Sequence, residues 1–181
     1  KEKCMLRFFS IEQGVIKELE PLPDTPVEVS IKNAHWIDTI NPTPQEQNAL
    51  AKTLNITFPD SVDVEEIETS SRCFIDNEGL HVHALFMSPN EGRFNTVTVA
   101  CLLQNNCLLT IRDEELADFR LLRLRARKGQ VACDTAKQLL ARSRYIIAKK
   151  TKDWTSNQKQ RAALLFKIYP HIEMAYKHTR E

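Results

Sequence analysis

The chain has 181 residues, 42% of them hydrophobic and 27% charged, with 25 Lys and Arg against 24 Asp and Glu. That length serves one domain, or one domain with an appendage, and the composition excludes wholesale disorder. No apolar run approaches the ~18–20 residues needed to cross a bilayer, and Lys1-Glu2-Lys3-Cys4 opens without an apolar signal segment, so the expectation is a cytoplasmic chain or a soluble piece of something larger.

The net charge of +1 hides two segments of opposite sign. Residues 138–181 hold ten Lys and Arg against three Asp and Glu, a net +7; residues 1–137 hold the other fifteen basic and twenty-one acidic residues, a net −6. Such asymmetry predicts a composite chain or a basic tail.

In chain order, Met5 to Ile11 and Val15 to Leu19 flank Gly14 as a hairpin would. Pro21, Pro23 and Pro26 mark a connection without helix. Ala34 to Ile40 reads as a strand stopped by Asn41-Pro42. Thr43, Pro44 and Glu46 then supply an N-cap, a proline at the first helical position and a capping-box partner. The helix runs to about Asn55, with Ala49, Leu50 and Leu54 on one face. A second short helix is expected from Asp60, carrying Asp63, Glu65, Glu66 and Glu68.

Asp76-Asn77-Glu78-Gly79 has turn chemistry between Arg72–Ile75 and Leu80–Met87. A further hairpin joins Phe94–Leu103 to Cys107–Arg112 through Gln104-Asn105-Asn106. Asp113 is then expected to cap a helix with Leu116, Phe119, Leu122 and Ala126 at helical spacing, a crowd of arginines at its end and Gly129 as its stop. Beyond it, Asp134-Thr135 and Thr155-Ser156 each offer a cap, and the remainder reads as helical up to an interruption at Pro170. The fold class is therefore α/β, a mixed β-sheet flanked by helices in residues 1–133, followed by an all-helical basic extension in 134–181.

Few residues promise chemistry. His81 and His83 sit two apart on one strand and so share a face; they either begin a metal site or are ordinary hydrogen-bonded strand histidines, since no third ligand follows at a metal-site spacing. The acidic stretch Asp60–Glu68 is either a solvated helix face or an attraction for hard cations such as Mg²⁺ or Ca²⁺. The arginines from Arg120 to Lys128 can meet phosphates or acidic partners, or simply end a helix beside an acidic domain. Five widely spaced cysteines without C-x-x-C predict neither disulfides nor zinc, and most are expected in the core. No phosphate loop, G-x-S-x-G or H-E-x-x-H is present, and Asp134, Asp153 and Glu173 have no catalytic spacing, so no enzyme is expected.

Two resemblances add to this reading. Met5-Leu6-Arg7-Phe8-Phe9, Trp36-Ile37-Asp38 with Pro42 and Pro44, Asp63-Val64-Glu65-Glu66-Ile67-Glu68, Phe74 through His83, Leu108–Arg112 and Phe119–Arg127 follow one another over about residues 4–137. In that order they resemble the cytoplasmic N-terminal domain of the CorA family of magnesium and cobalt transport proteins. The resemblance implies a homopentamer at the inner membrane, with a long helix leading to a pore marked by Gly-Met-Asn. Neither that motif nor an apolar membrane span is found in these 181 residues. It also implies weak regulatory binding of Mg²⁺ or Co²⁺ by carboxylates between subunits, favouring the closed state. The strand end that carries an acidic ligand in some relatives corresponds to 86–90, where the nearest carboxylate is Glu91. Glu91, Asp63 and Glu66 are the metal residues expected.

From about Asp134, Leu139–Tyr145, Trp154-Thr155, Gln158-Lys159, Arg161-Ala162 and Leu165-Phe166 with Tyr169-Pro170 resemble a helical piece of insertion-sequence transposases. This resemblance implies a fused, DNA-binding or helical interaction segment, with phosphate contacts and stacking from Tyr145, Trp154 and Tyr169. An ordinary amphipathic tail with its Lys and Arg on the wet face reads the same residues as well.

Overall fold

In the computed structural model the described residues are 4–59, 73–90 and 93–140. They form β1 (Met5–Glu12), β2 (Val15–Leu19), α1 (Val27–Asn33), β3 (Trp36–Ile40), α2 (Pro44–Leu54), β4 (Cys73–Ile75), β5 (Leu80–Asn90), β6 (Arg93–Gln104), β7 (Cys107–Arg112) and α3 (Ala117–Arg127). The seven strands make one sheet in the order β2-β1-β3-β7-β6-β5-β4. All neighbours are antiparallel except β3 and β7, which run parallel with Trp36 opposite Leu108 and Ile40 opposite Arg112.

The alternation of side chains along each strand divides the core in two. Phe9, Trp36, Val99, Cys101, Leu103 and Leu108 face α3, whose Phe119, Leu122 and Ala126 pack on them. Phe8, Ile37, Leu102 and Leu109 face the other way, against Ile31 of α1 and Leu50 of α2. All five residues of β3 are buried, because both faces are covered. This is the expected mixed sheet flanked by helices.

Local chemistry explains most boundaries. Gln13 and Gly14 both take positive φ, as do Asn105 and Asn106, which suits two-residue turns between antiparallel strands. Thr43 Oγ1 accepts from Glu46 N while Glu46 Oε2 accepts from Thr43 N at 2.7 Å, completing the capping box. Asn55 closes α2 in the left-handed conformation.

Two expectations are corrected. The proline connection is followed at once by α1, a helix the sequence did not announce: Pro26 is its N-cap position without a side-chain bond, and only Ile31 in it is buried. Asp113 does not cap α3, which starts three residues beyond Glu114, at Ala117, with Leu116 at the cap position. The intervening residues are held otherwise, since Asn41 Nδ2 donates to the Asp113 carbonyl at 2.6 Å and Glu115 is drawn into ion pairs. Gly129 does follow the helix, at φ 64°, and donates to the Ala126 carbonyl at 3.0 Å.

After α3 the chain returns to the sheet. Ile16 N donates to Val131 O at 3.1 Å and Cys133 N to Gly14 O at 2.9 Å, so this segment lies along the β2 edge. Gln138 N donates to Thr135 Oγ1 at the start of a helical stretch over 136–140. Ala136, Leu139 and Leu140 are buried in the same core as α3. Among the described residues no helix is long and apolar enough to cross a membrane. Cys101, Cys107 and Cys133 are buried and Cys4 is exposed, and none of the four is in a disulfide; burial pushes the Cys101 and Cys107 thiols up to about 12, which leaves these two unreactive core residues.

Candidate functional site

Two constellations of charged side chains stand out, one closed and one open. The closed one lies where the parallel strands β3 and β7 end beneath α3. Period-two alternation puts Trp36 and Asp38 on the α3 face of β3, and Leu108, Thr110 and Arg112 on the same face of β7. Asp38 is fully buried, Arg112 is 1% exposed and Arg123 of α3 is 5% exposed. Arg112 Nη1 donates to Asp38 Oδ1, and its Nη2 to Asp38 Oδ2 at 3.2 Å and to Glu115 Oε1 at 3.0 Å. Arg123 Nη1 donates to Asp38 Oδ2 at 2.7 Å and its Nη2 to Glu115 Oε2.

The hydroxyl of Thr110 donates to Asp38 Oδ1 at 2.7 Å and accepts from Trp36 Nε1 at 3.1 Å. The Arg112 guanidinium also lies 4.2 Å over the Phe119 ring. Two carboxylates and two guanidiniums make the cluster neutral, and each oxygen of Asp38 already accepts two hydrogen bonds. Such a saturated pair of ions clamps α3 onto the sheet and offers no coordination to a cation.

A half-exposed satellite extends the clamp. Arg7 Nη1 donates to Glu18 Oε1 at 2.9 Å, and Arg127 donates to both Glu18 oxygens, tying the end of α3 to β1 and β2. Burial works to raise the Glu18 pKa, but the hydrogen bonds from Arg127 and Arg7 outweigh it and hold the carboxyl below its ordinary value. Thus Arg123 and Arg127, which the sequence offered as phosphate or partner contacts, are engaged within the domain.

The open constellation is the tip of the β4–β5 hairpin. Asp76 and Glu78 come from the four-residue connection and His81 from the second position of β5. One ligand atom of each lies within 4.8 Å of the others. Asp76 Oδ1 accepts from Glu78 N at 2.8 Å and Gly79 N at 3.2 Å, and it is 2.9 Å from His81 Nε2. Burial would raise the Asp76 pKa, yet the hydrogen bonds from His81 and the turn amides hold it below its usual value. Glu78 Oε1 accepts from Thr57 N at 2.8 Å, which ties the tip to the chain beyond α2. The Phe74 ring stacks on His81 with centroids 4.4 Å apart and planes 9° apart.

The structure brings together only part of what the sequence singled out. Asp63, Glu66 and Glu91 lie outside the described residues. His81 and His83 both reach Phe74, His83 edge-on at 6.2 Å, but the carboxylates that join His81 precede it in the turn rather than following it. The signal was present in the spacing: a hairpin that pairs Ile75 with Leu80 returns the turn residues beside His81.

Comparison with known proteins decides the family. Residues 32–162 match the family described as CorA-like Mg2+ transporter protein. The chain belongs to this family. The CorA match runs to residue 162, well into the 134–181 stretch for which the sequence suggested a transposase-like segment. The magnesium transport protein CorA of Haemophilus ducreyi is 32% identical over 138 residues, and that of Escherichia coli K12 is 34% identical over 137. Each alignment covers 75% of this chain and 42% of the relative, so the chain spans less than half the length of the curated relatives it matches. The complete structure of the CorA magnesium transporter from Methanocaldococcus jannaschii shares the fold, with a TM-score of 0.54 and 16% identity over 97% of this chain and 60% of that one.

Proposed function

We propose that the chain is the cytoplasmic regulatory part of a CorA-like magnesium and cobalt transport protein, self-associating with copies of itself and responding to divalent cations at the contacts between them. Its activity is regulation of ion passage rather than catalysis. The supporting observation is the CorA match over residues 32–162 with identity above 30% to magnesium transport proteins. In this reading residues 1–133 are the α/β unit, and 134–181 are a basic extension whose first turn is seated in the unit's core through Ala136, Leu139 and Leu140.

The mechanism follows from charge. Residues 1–137 carry a net −6, so acidic surfaces of this unit that face one another between copies repel unless a cation intervenes. A dication bound between subunits holds them closed, and its loss lets them separate, a shift of population driven by differential binding. Glu91, Asp63 and Glu66 are the proposed ligands, being oxygen donors that suit Mg²⁺. The saturated Asp38 network serves as the rigid frame and not as the sensor. Millimolar Mg²⁺ is expected to raise the thermal midpoint of the wild-type chain. The combined variant D63N/E66Q/E91Q is expected to lose that rise. An unchanged midpoint in the wild type would remove cation sensing from this account.

A further inference from the structure

We propose that Asp76, Glu78 and His81 form a site for a first-row transition-metal dication of borderline softness, Co²⁺, Ni²⁺ or Zn²⁺, at the tip of the β4–β5 hairpin. The proposal rests on the side chains of this hairpin and stands apart from the regulatory reading above, which places Mg²⁺ on other carboxylates.

The first ground is the donor set. Mg²⁺ takes oxygen ligands in a strict octahedron and keeps its waters, whereas an imidazole nitrogen beside carboxylates favours the later first-row ions. Here a single imidazole nitrogen and two carboxylates converge, with one ligand atom from each within 4.8 Å of the others. Neighbouring ligands around an octahedral ion with bonds of ~2.1 Å are roughly 3 Å apart. The 2.9 Å between His81 Nε2 and Asp76 Oδ1 already matches that spacing. A metal ion would take the place of the proton that now bridges these two atoms.

The second ground is that the ligands are held in place from outside the cluster. The stacked Phe74 ring fixes the plane of the His81 imidazole. Glu78 is tethered by the amide of Thr57, from a separate segment. Gly79 has φ 140°, and a Cβ there would come within 2.3 Å of the Leu103 carbonyl oxygen, so the turn is pressed against the end of β6. Restraint of this kind lowers the ordering cost of binding.

The third ground is accessibility and charge. Asp76 is exposed, and Glu78 and His81 are partly exposed, so water can complete the coordination sphere. Among the described residues no Lys or Arg pairs with Asp76 or Glu78. Asp38 is held by two cationic arginines that no metal ion can displace readily, whereas Asp76 Oδ1 is held by two neutral turn amides and by the His81 nitrogen that would itself ligate.

The test is isothermal titration calorimetry of CoCl₂ into the full 181-residue chain, with H81Q and E78Q alongside and circular dichroism to confirm that each variant is folded. One Co²⁺ per chain is expected in the wild type, not displaced by millimolar Mg²⁺, with at least about tenfold weaker binding in each variant. Proton NMR of the Co²⁺-loaded chain should show paramagnetically shifted His81 ring resonances. Absence of Co²⁺ uptake, unchanged affinity in H81Q, or unshifted His81 resonances would each overturn the proposal. A chain that binds Co²⁺ here and ignores Mg²⁺ would keep this site and refute the regulatory reading instead.

Discussion

The β3–β7–α3 junction and the β4–β5 tip both gather carboxylates with nitrogen-bearing partners, yet they do opposite things. At the junction Asp38 and Glu115 meet two guanidiniums, the charges cancel, and Asp38 is closed in by Thr110, which Trp36 bonds in turn, with the Phe119 ring against Arg112. At the tip Asp76 and Glu78 meet one imidazole, negative charge is left over, and the cluster opens to water. Two acids beside two arginines make a clamp; two acids beside a histidine make a place for an ion. What separates them is whether the cation is part of the chain.

Asp38→Ala is expected to cost the most stability. Arg112 and Arg123 would be left buried with only the half-exposed Glu115 as an anion, and removal of one partner from a buried pair costs about 3–5 kcal/mol. Urea unfolding should show that loss, while Co²⁺ binding by the folded fraction should persist. A loss below about 1 kcal/mol would mean the junction is not a clamp.

Glu18→Gln removes an ion pair of intermediate exposure. Its pairs with Arg7 and Arg127 are partly solvated, and exposed ion pairs are worth up to about 1 kcal/mol. Its folded pKa is depressed, so its stabilisation is complete above the ordinary glutamate range and is lost as the pH falls through the depressed folded value. The difference between wild type and E18Q should therefore shrink on acidification. A difference that grew towards acid pH would contradict the ion-pair assignment.

The smallest effect on stability is expected at the tip. Asp76→Asn should lower the thermal midpoint of the metal-free chain only slightly, because the amide oxygen can still accept from the Glu78 and Gly79 amides and only an exposed charged contact with His81 is lost. It should nevertheless weaken the Co²⁺ response measured by the same melts. A metal-free midpoint that fell as far as in Asp38→Ala would show that Asp76 serves the hairpin rather than an ion.

How much of this was legible depended on sequence distance. The box of Thr43, Pro44 and Glu46, the turn at Asp76–Gly79, the two asparagines at 105 and 106, and the stop at Gly129 are local devices, and each appears where its residues placed it. Helix α1 was hidden because Val27, Val29 and Ile31 are β-branched and three prolines precede it; it forms because Ile31 meets Ile37 and Leu50 in one core. The role of Arg123 was hidden as well. Among Arg120, Arg125 and Arg127 it reads as one more solvated charge, and its partner Asp38 lies 85 residues away in the chain. Glu115 looked like the first turn of a helix for a similar reason, and its two arginines moved the helix start to Ala117. The tip was half legible, since His81 drew notice but its carboxylates were sought on the wrong side of it.

Cation-dependent self-association is tested most directly by native mass spectrometry of the 181-residue chain, first with Mg²⁺ and then with EDTA. An oligomer carrying bound Mg²⁺ that falls apart when the chelator removes it is expected. A metal-free monomer under both conditions would contradict the regulatory reading.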